Sequence, residues 1–222
     1  MNRAKLFIMG ITLLIVMASI ACGAKPTEAP PTQIQAPTPP PVTTEPEKPN
    51  FTMYTDESGL FSISYPADWE QTTSEVPIGQ KAPEAINRLK SGLPIEEFSV
   101  IFMAEEPGDG EYAPYVNIGL EPVPPGVSTA NQMVDSDLAA GRNNFADFQV
   151  LSRTKATVDG REAVIFDWKA TVREDKYPLY SYQMYMLTDQ AAWTVTCGTD
   201  PEIYTQWKND FDTIVKSLRI SD

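Results

Sequence analysis

The chain has 222 residues and a formal net charge of −13, because 30 Asp and Glu outnumber 17 Lys and Arg. An acidic surface repels phosphate backbones and anionic lipid headgroups, so it disfavours nucleic-acid binding and a domain that lies flat on a membrane. It favours basic proteins or cations as partners. The chain contains no histidine, which excludes Ser-His-Asp and Cys-His catalysis and removes the commonest zinc ligand.

The first 21 residues have the pattern of a secretory signal, with a short basic start, an apolar run and small residues at its end. The apolar run Leu6–Ala21 has 16 residues, fewer than the roughly 20 of a spanning helix, which disfavours an uncleaved anchor. Cys22 follows directly and resembles the lipobox cysteine of bacterial lipoproteins, which is diacylated with fatty acids such as palmitate. Ser19 stands where the lipobox usually has Leu, and a plain secretory signal cut at the end of the run is the alternative.

The segment after Cys22 is rich in proline, with nine Pro among residues 25–50. Proline favours extended polyproline II, in which about 3.1 Å per residue would give a reach of roughly 80 Å. The sequence therefore predicts a lipoprotein signal peptide (1–21), lipidated Cys22 with a disordered tether (22–50), and one globular domain (51–222). The lipid would hold the domain on the extracytoplasmic or periplasmic face of the cell membrane or the outer membrane.

The first part of the domain is predicted to begin with a hairpin around the polar turn 56–59 and to continue with a short helix and two strands. Proline at the helix start and Gly92 beyond its end mark the helix. The predicted elements are strands Phe51–Thr55 and Leu60–Tyr65, helix Pro83–Ser91, and strands Phe98–Met103 and Tyr115–Leu120.

The second part is predicted to be a helix followed by a strand meander. Thr129 and Gln132 form a capping box for the helix, and Gly141 is expected to stop it. Asp159-Gly160 is a strong hairpin signal between two long strands. The predicted elements are helix Thr129–Ala140, strands Phe148–Val158 and Arg161–Val172, a Tyr-rich strand with Tyr180, Tyr182, Met184 and Met186 on one face, and strand Ala192–Cys197.

The last predicted helix has Asp200 as its cap and Pro201 in its first turn. Apolar residues at helical spacing form a stripe that should dock on the sheet: Ile203, Trp207, Phe211, Ile214 and Leu218. Cys197, in the strand before it, alternates with other apolar residues and is expected to be a buried, inert thiol.

These pieces in this order resemble the PsbP-like domain of the PsbP/DcrB-like superfamily. The resemblance lies in Tyr54–Trp69, in Val158–Ala163, in the Tyr-rich strand and in Ile203–Ile220. It implies an α+β fold, an α/β/α sandwich with a mainly antiparallel sheet flanked by helices. Members of this superfamily mostly act by binding. A photosystem subunit and a nuclear-import protein that binds a small GTPase are examples, and the superfamily also includes the DcrB-type bacterial lipoproteins.

The sequence offers few candidate sites, and no catalytic or cofactor-binding residue is predicted. The densest acidic cluster consists of Glu105, Glu106, Asp109 and Glu111, weak candidates for a hard cation such as calcium. Tyr177, beside a proline, is the weak candidate for an exposed ligand or partner contact. Ser152 and Lys155 fit S-x-x-K, but three residues apart in a strand they lie on opposite faces.

The sequence therefore favours a lipid-anchored, non-catalytic binding or assembly module for another envelope protein. The alternative is an extracytoplasmic protein that binds a small ligand or a cation. A carboxylate-based hydrolase is less favoured, because no residue constellation in the sequence supports it.

Overall fold

A computed structural model describes residues 49–72, 82–108, 113–173 and 176–221. The predicted signal peptide, Cys22, most of the predicted tether, and two members of the acidic cluster, Asp109 and Glu111, lie outside the described residues. Among the helices described, none is long and apolar enough to cross a membrane.

The described residues form ten strands and three helices, close to the elements expected from the sequence. The strands are β1 (Phe51–Thr55), β2 (Phe61–Pro66), β3 (Glu70–Gln71), β4 (Ser99–Glu105), β5 (Tyr115–Glu121), β6 (Phe145–Val158), β7 (Arg161–Val172), β8 (Pro178–Leu187), β9 (Ala192–Thr199) and β10 (Arg219–Ile220). The helices are α1 (Ala82–Lys90), α2 (Ala130–Asn144) and α3 (Tyr204–Lys216).

The strands form two sheets in which every pairing between neighbours is antiparallel. The large sheet has seven strands in the order β3-β4-β5-β9-β8-β7-β6, and the small one has the order β1-β2-β10. The predicted turn at Asp159-Gly160 joins β6 to β7, and its φ angles of 52° and 74° are those of a type I′ hairpin. The antiparallel sheet and its helices confirm the predicted α+β class.

Both faces of the large sheet bury apolar side chains. On one face lie α1, α3 and the small sheet, and Phe61, Trp193 and Phe211 are almost fully buried there. On the other face α2 packs against β6, β7 and β8. Because side chains alternate along a strand, Val164 and Phe166 of β7 point to α2 while Ile165 points to the first core. Cys197 is fully buried and free, as expected, and burial raises the pKa of its thiol.

Two helix boundaries differ from the sequence prediction. Gly141 does not stop α2, which continues to Asn144, and the backbone N–H of Phe145 donates to the Gly141 carbonyl. A glycine inside a helix is tolerated at a cost of about 1 kcal/mol, and a Cβ at this position would lie 3.6 Å from the Phe148 ring.

Only half of the predicted capping box forms at the start of α2. The backbone N–H of Gln132 donates to Thr129 Oγ1 at 3.2 Å. The Gln132 side-chain oxygen, however, accepts from the backbone N–H of Ser128 instead of that of Thr129.

The start of α3 also differs. Asp200 was expected to cap the helix, yet α3 begins at Tyr204 and the capping position is Ile203, without a side-chain hydrogen bond. Asp200 Oδ1 instead accepts from the Glu202 amide at 2.7 Å, which makes a separate turn before the helix. An Asp side chain readily bonds the amide two residues ahead, and this local bond competes with the helical one.

A buried carboxylate ties α3 to the sheet. Asp167 of β7 is 1% exposed and accepts hydrogen bonds from Tyr204 Oη at 3.0 Å, from Lys208 Nζ at 2.6 Å and from the Ser152 hydroxyl. Burial alone would raise the pKa of Asp167, but the bonds from Lys208, Ser152 and Tyr204 outweigh it and lower that pKa. Ser152 is thus engaged by Asp167, in keeping with the expectation that Lys155 does not activate it.

We expect Phe211→Ala to lower the free energy of unfolding by about 3–5 kcal/mol, because Phe211 is fully buried. Trp207→Ala should cost less, about 1–3 kcal/mol, because Trp207 is only partly buried beside Trp69 and Phe211. Urea unfolding measures both, with Met53→Ala, 68% exposed, as the control. A larger loss for Trp207 than for Phe211 would contradict this order.

Candidate functional site

A cleft of about 620 Å³ lies on the α2 face of the large sheet. It is bounded by Glu121, Asp137, Phe145, Phe148, Trp168 and Gln183, and we call it the sheet cleft. The cleft lies where α2, which packs on β6, β7 and β8, leaves the neighbouring strands β9 and β5 uncovered.

The floor of the sheet cleft is polar and its orientation is fixed by hydrogen bonds. Asn117, Thr196 and Gln183 are direct neighbours across β5, β9 and β8. Gln183 Nε2 donates to Thr196 Oγ1 at 2.9 Å, and Trp168 Nε1 donates to Gln183 Oε1 at 2.7 Å. Both ends of the Gln183 amide are therefore held, so the floor presents its polar groups at set positions.

Three aromatic rings form one wall. The ring centres of Phe145 and Phe148 lie 5.3 and 5.2 Å from that of Trp168. Residues three apart in a regular strand face opposite sides, but the β6–β7 register shifts between Ala146 and Gln149, and Asp147 adopts a φ of 51°. This bulge brings both phenylalanines to the same side. Trp168 is buried, while Phe145 and Phe148 are half-buried.

Two carboxylates meet at a tyrosine hydroxyl on another side of the cleft. Tyr185 Oη donates to Glu121 Oε1 at 3.2 Å and also interacts with Asp137 of α2. Burial, and secondly the charge of Asp137, raise the pKa of Glu121 to about 7, against a smaller opposing effect of the Tyr185 hydrogen bond. Burial likewise raises the pKa of Asp137. Near neutral pH this pair therefore carries negative charge that is incomplete and sensitive to pH.

A second cavity, of about 720 Å³, lies towards the opposite face of the sheet, between the end of α1 and the β8–β9 turn. Charged side chains of both signs line it, including Lys90, Arg161 and Asp189. It has no cluster of aromatic rings comparable with that of the sheet cleft, since Trp193 is its one aromatic lining residue and is 1% exposed.

The predicted site residues that the structure describes, Glu105, Glu106 and Tyr177, are not among those that line the sheet cleft. Glu105 ends β4 opposite Glu70, and the pKa of Glu106 is raised by burial and by the charge of Asp68. In the described ranges, no group of three or more His, Cys, Asp or Glu is placed to hold a metal ion. Tyr177 is half-buried and donates its hydroxyl hydrogen bond to Asp200.

Sequence reasoning missed Glu121, Asp137 and Tyr185. For Glu121 the sequence did contain a signal, in the alternation of side chains along β5 and β9. Asn117 and Glu121 of β5 and Thr194 and Thr196 of β9 fall on one face of two central strands. Polar residues at every second position of a central strand indicate a face that no helix covers.

The family model of DcrB matches residues 62–217. The chain belongs to the DcrB family. No curated protein gives a significant match to the chain.

Solved structures resemble this DcrB-family chain in fold. Cyanobacterial PsbP (CyanoP) from Synechocystis sp. PCC 6803 has a TM-score of 0.52 and 11% identity, and the match covers 80% of this chain and 96% of that one. The Ran-binding protein Mog1p of Saccharomyces cerevisiae has a TM-score of 0.49 and 8% identity, with 79% and 97% covered. LpqN of Mycobacterium tuberculosis, described as involved in cell envelope biogenesis, has a TM-score of 0.45 and 11% identity, with 78% and 91% covered. The likeness to CyanoP supports the PsbP-like architecture and concerns the fold alone.

Glu121→Gln should make the chain more stable at pH 8 and less dependent on pH. The folded pKa of about 7 exceeds the ordinary 4.5, so this group favours folding fully below pH 4.5 and loses that contribution as pH rises through 7. One pKa unit corresponds to about 1.4 kcal/mol, so a pKa that rises from 4.5 to about 7 should give the variant a gain on the order of 3 kcal/mol relative to the native chain between pH 4 and pH 8. Urea unfolding at several pH values measures this.

The control for that measurement is Glu162→Gln, which changes an exposed carboxylate of β7 in the same way. Its stability relative to the native chain should stay constant with pH. An equal pH dependence of both variants would contradict the burial of Glu121.

Proposed function

We propose that this DcrB-family protein is a non-catalytic binding module that is anchored by lipid on Cys22 and holds another envelope protein through the sheet cleft. The observation that carries the proposal is the aromatic wall of Phe145, Phe148 and Trp168 beside a hydrogen-bonded polar floor. Aromatic groups beside fixed polar groups are typical of protein-binding surfaces, where they contribute most of the binding energy.

Binding is favoured over hydrolysis because of how the carboxylates are arranged. Two-carboxylate hydrolases place the groups on opposite sides of the bond to be cleaved. Here Glu121 and Asp137 both interact with the Tyr185 hydroxyl, which occupies the space between them that a bond to be cleaved would need. This arrangement supplies negative charge to an occupant but leaves no room for a substrate bond between the two groups.

A small organic ligand is the second candidate occupant. The volume of about 620 Å³ supports it, because ligand pockets commonly measure roughly 300–1,000 Å³. The cleft is open along the uncovered strands, and we therefore place a segment of a partner protein first.

Anchoring is the first part of the proposal to test. Cys22→Ala should move the protein from the membrane fraction to the soluble fraction of the cells, because a diacyl anchor needs the thiol. Cys22→Ser gives a second variant without a thioether, and Ser19→Leu, which restores the usual lipobox residue, should stay with membranes. Retention of both Cys22 variants in membranes would refute a lipid anchor at this residue.

The binding surface is tested by photo-crosslinking in intact cells. A benzoylphenylalanine at position 148, in the wall of the cleft, should give a discrete protein adduct. The same group at Met53, 68% exposed on the small sheet, is the control for random collisions. Adding Phe145→Ala should reduce the adduct at least about fivefold, because Phe145 is half-buried in the wall and truncating an aromatic anchor commonly costs more than 1 kcal/mol of binding. An adduct equal at both positions, or unaffected by Phe145→Ala, would refute the cleft as the contact.

A further inference from the structure

Two charged side chains among the described residues line the sheet cleft, and both are acidic. They are Glu121 and Asp137, and in the described part of the chain neither forms an ion pair with Lys or Arg. Other carboxylates behave differently. Asp135, two residues from Asp137, contacts Arg153 at 2.6 Å, and Asp159 at the β6–β7 turn contacts Arg161 at 2.7 Å. Among the described residues, the negative charge of the cleft therefore has no counter-charge.

Withdrawing these carboxylates from water without a cation is unfavourable, and a basic group that entered the cleft would offset that cost. The groups that face Glu121 are Asp137 from α2 and Tyr185 from β8, and both are acidic or neutral. An ammonium or guanidinium would contact the carboxylates as a hydrogen-bond donor, which is a stronger contact than one between neutral groups.

The aromatic wall suits the rest of a basic side chain. Lys and Arg have long apolar stems that pack along aromatic faces, and their cations are attracted to the faces of Trp and Phe rings. Phe145 and Phe148 are half-buried and offer their rings, and the buried Trp168 packs against both, with its Nε1 bonded to Gln183. The net charge of −13 would also speed the approach of a basic partner.

We infer that the sheet cleft binds a lysine or arginine side chain flanked by an apolar residue, carried on an exposed segment of the partner protein. This inference rests on the proposed function and names the chemistry of its partner. The basic group meets Glu121 and Asp137, and the apolar neighbour packs against the wall of Phe145 and Phe148.

Calorimetric titration of the full chain with two capped tripeptides tests the inference. Acetyl-Phe-Lys-Phe-amide carries the cation, and acetyl-Phe-Gln-Phe-amide is a neutral match of similar length. At pH 8 the lysine peptide should bind at least about tenfold more tightly, as expected for a hydrogen bond to a charged group. The preference should fall as the pH is lowered to 5, because protonation removes the charge of Glu121, whose pKa is about 7.

The double variant Glu121→Gln, Asp137→Asn should remove the preference, so that the two peptides bind equally. The matched control is Glu162→Gln with Glu202→Gln, which removes two exposed carboxylates elsewhere. That control should keep most of the preference. A preference kept by the control would show that the double variant acts through Glu121 and Asp137 themselves and not through the loss of overall negative charge.

Equal binding of the two peptides, no binding of either, or a preference that survives the double variant would overturn the inference. These results would not contradict the proposed function, which the crosslinking experiment tests separately. A specific adduct at position 148 together with no charge preference would refute the basic side chain alone. Loss of the adduct would refute the cleft as a contact for a partner.

Discussion

The functional surface depends on a mismatch of widths between one helix and the sheet that it covers. Seven strands spaced about 4.8 Å apart span roughly 30 Å, whereas a helix with its side chains is about 10–12 Å wide. One helix therefore covers two or three strands, and α2 packs on β6, β7 and β8. On the opposite face, α1, α3 and the small sheet together form a continuous core with the large sheet. The sheet cleft is the remainder of the face that α2 does not reach.

The residues on that uncovered face reflect the same constraint. The floor is polar where β5 and β9 lie beyond α2, with Asn117 and Thr196 held beside Gln183. Close packing also limits which residues fit. A Cβ at Gly119 would lie 2.5 Å from Thr194 Oγ1 and 2.9 Å from a Phe98 ring carbon, so this position has no room for a side chain. The face is thus shaped by side chains with little freedom to rearrange, which suits a preformed binding surface.

Two buried or half-buried acidic groups illustrate opposite uses of the same chemistry. Asp167 lies beneath α3 with Lys208, Tyr204 and Ser152 as its partners, so its charge is stabilised and its pKa is lowered. Glu121 is held by a tyrosine and faces a second carboxylate, so its pKa is raised. The first arrangement fastens a helix to the sheet. In the second arrangement the described residues provide no cation beside the two carboxylates, and the proposed basic partner would provide one.

The sequence by itself determined the elements that local chemistry controls. The Asp159-Gly160 hairpin, the alternating faces of β7 and β8 and the apolar stripe of α3 all formed, because turn residues and side-chain periodicity act over a few positions. The order of these elements resembles the PsbP-like domain, and the α+β architecture that this resemblance implies is confirmed. Tertiary structure decided the continuation of α2 beyond Gly141, and Asp200, which was expected to cap α3, instead accepts hydrogen bonds from the Glu202 amide and the distant Tyr177 hydroxyl. Tertiary structure also decided the sheet cleft, since Glu121, Asp137 and Tyr185 come from β5, α2 and β8 and meet only when those elements pack together.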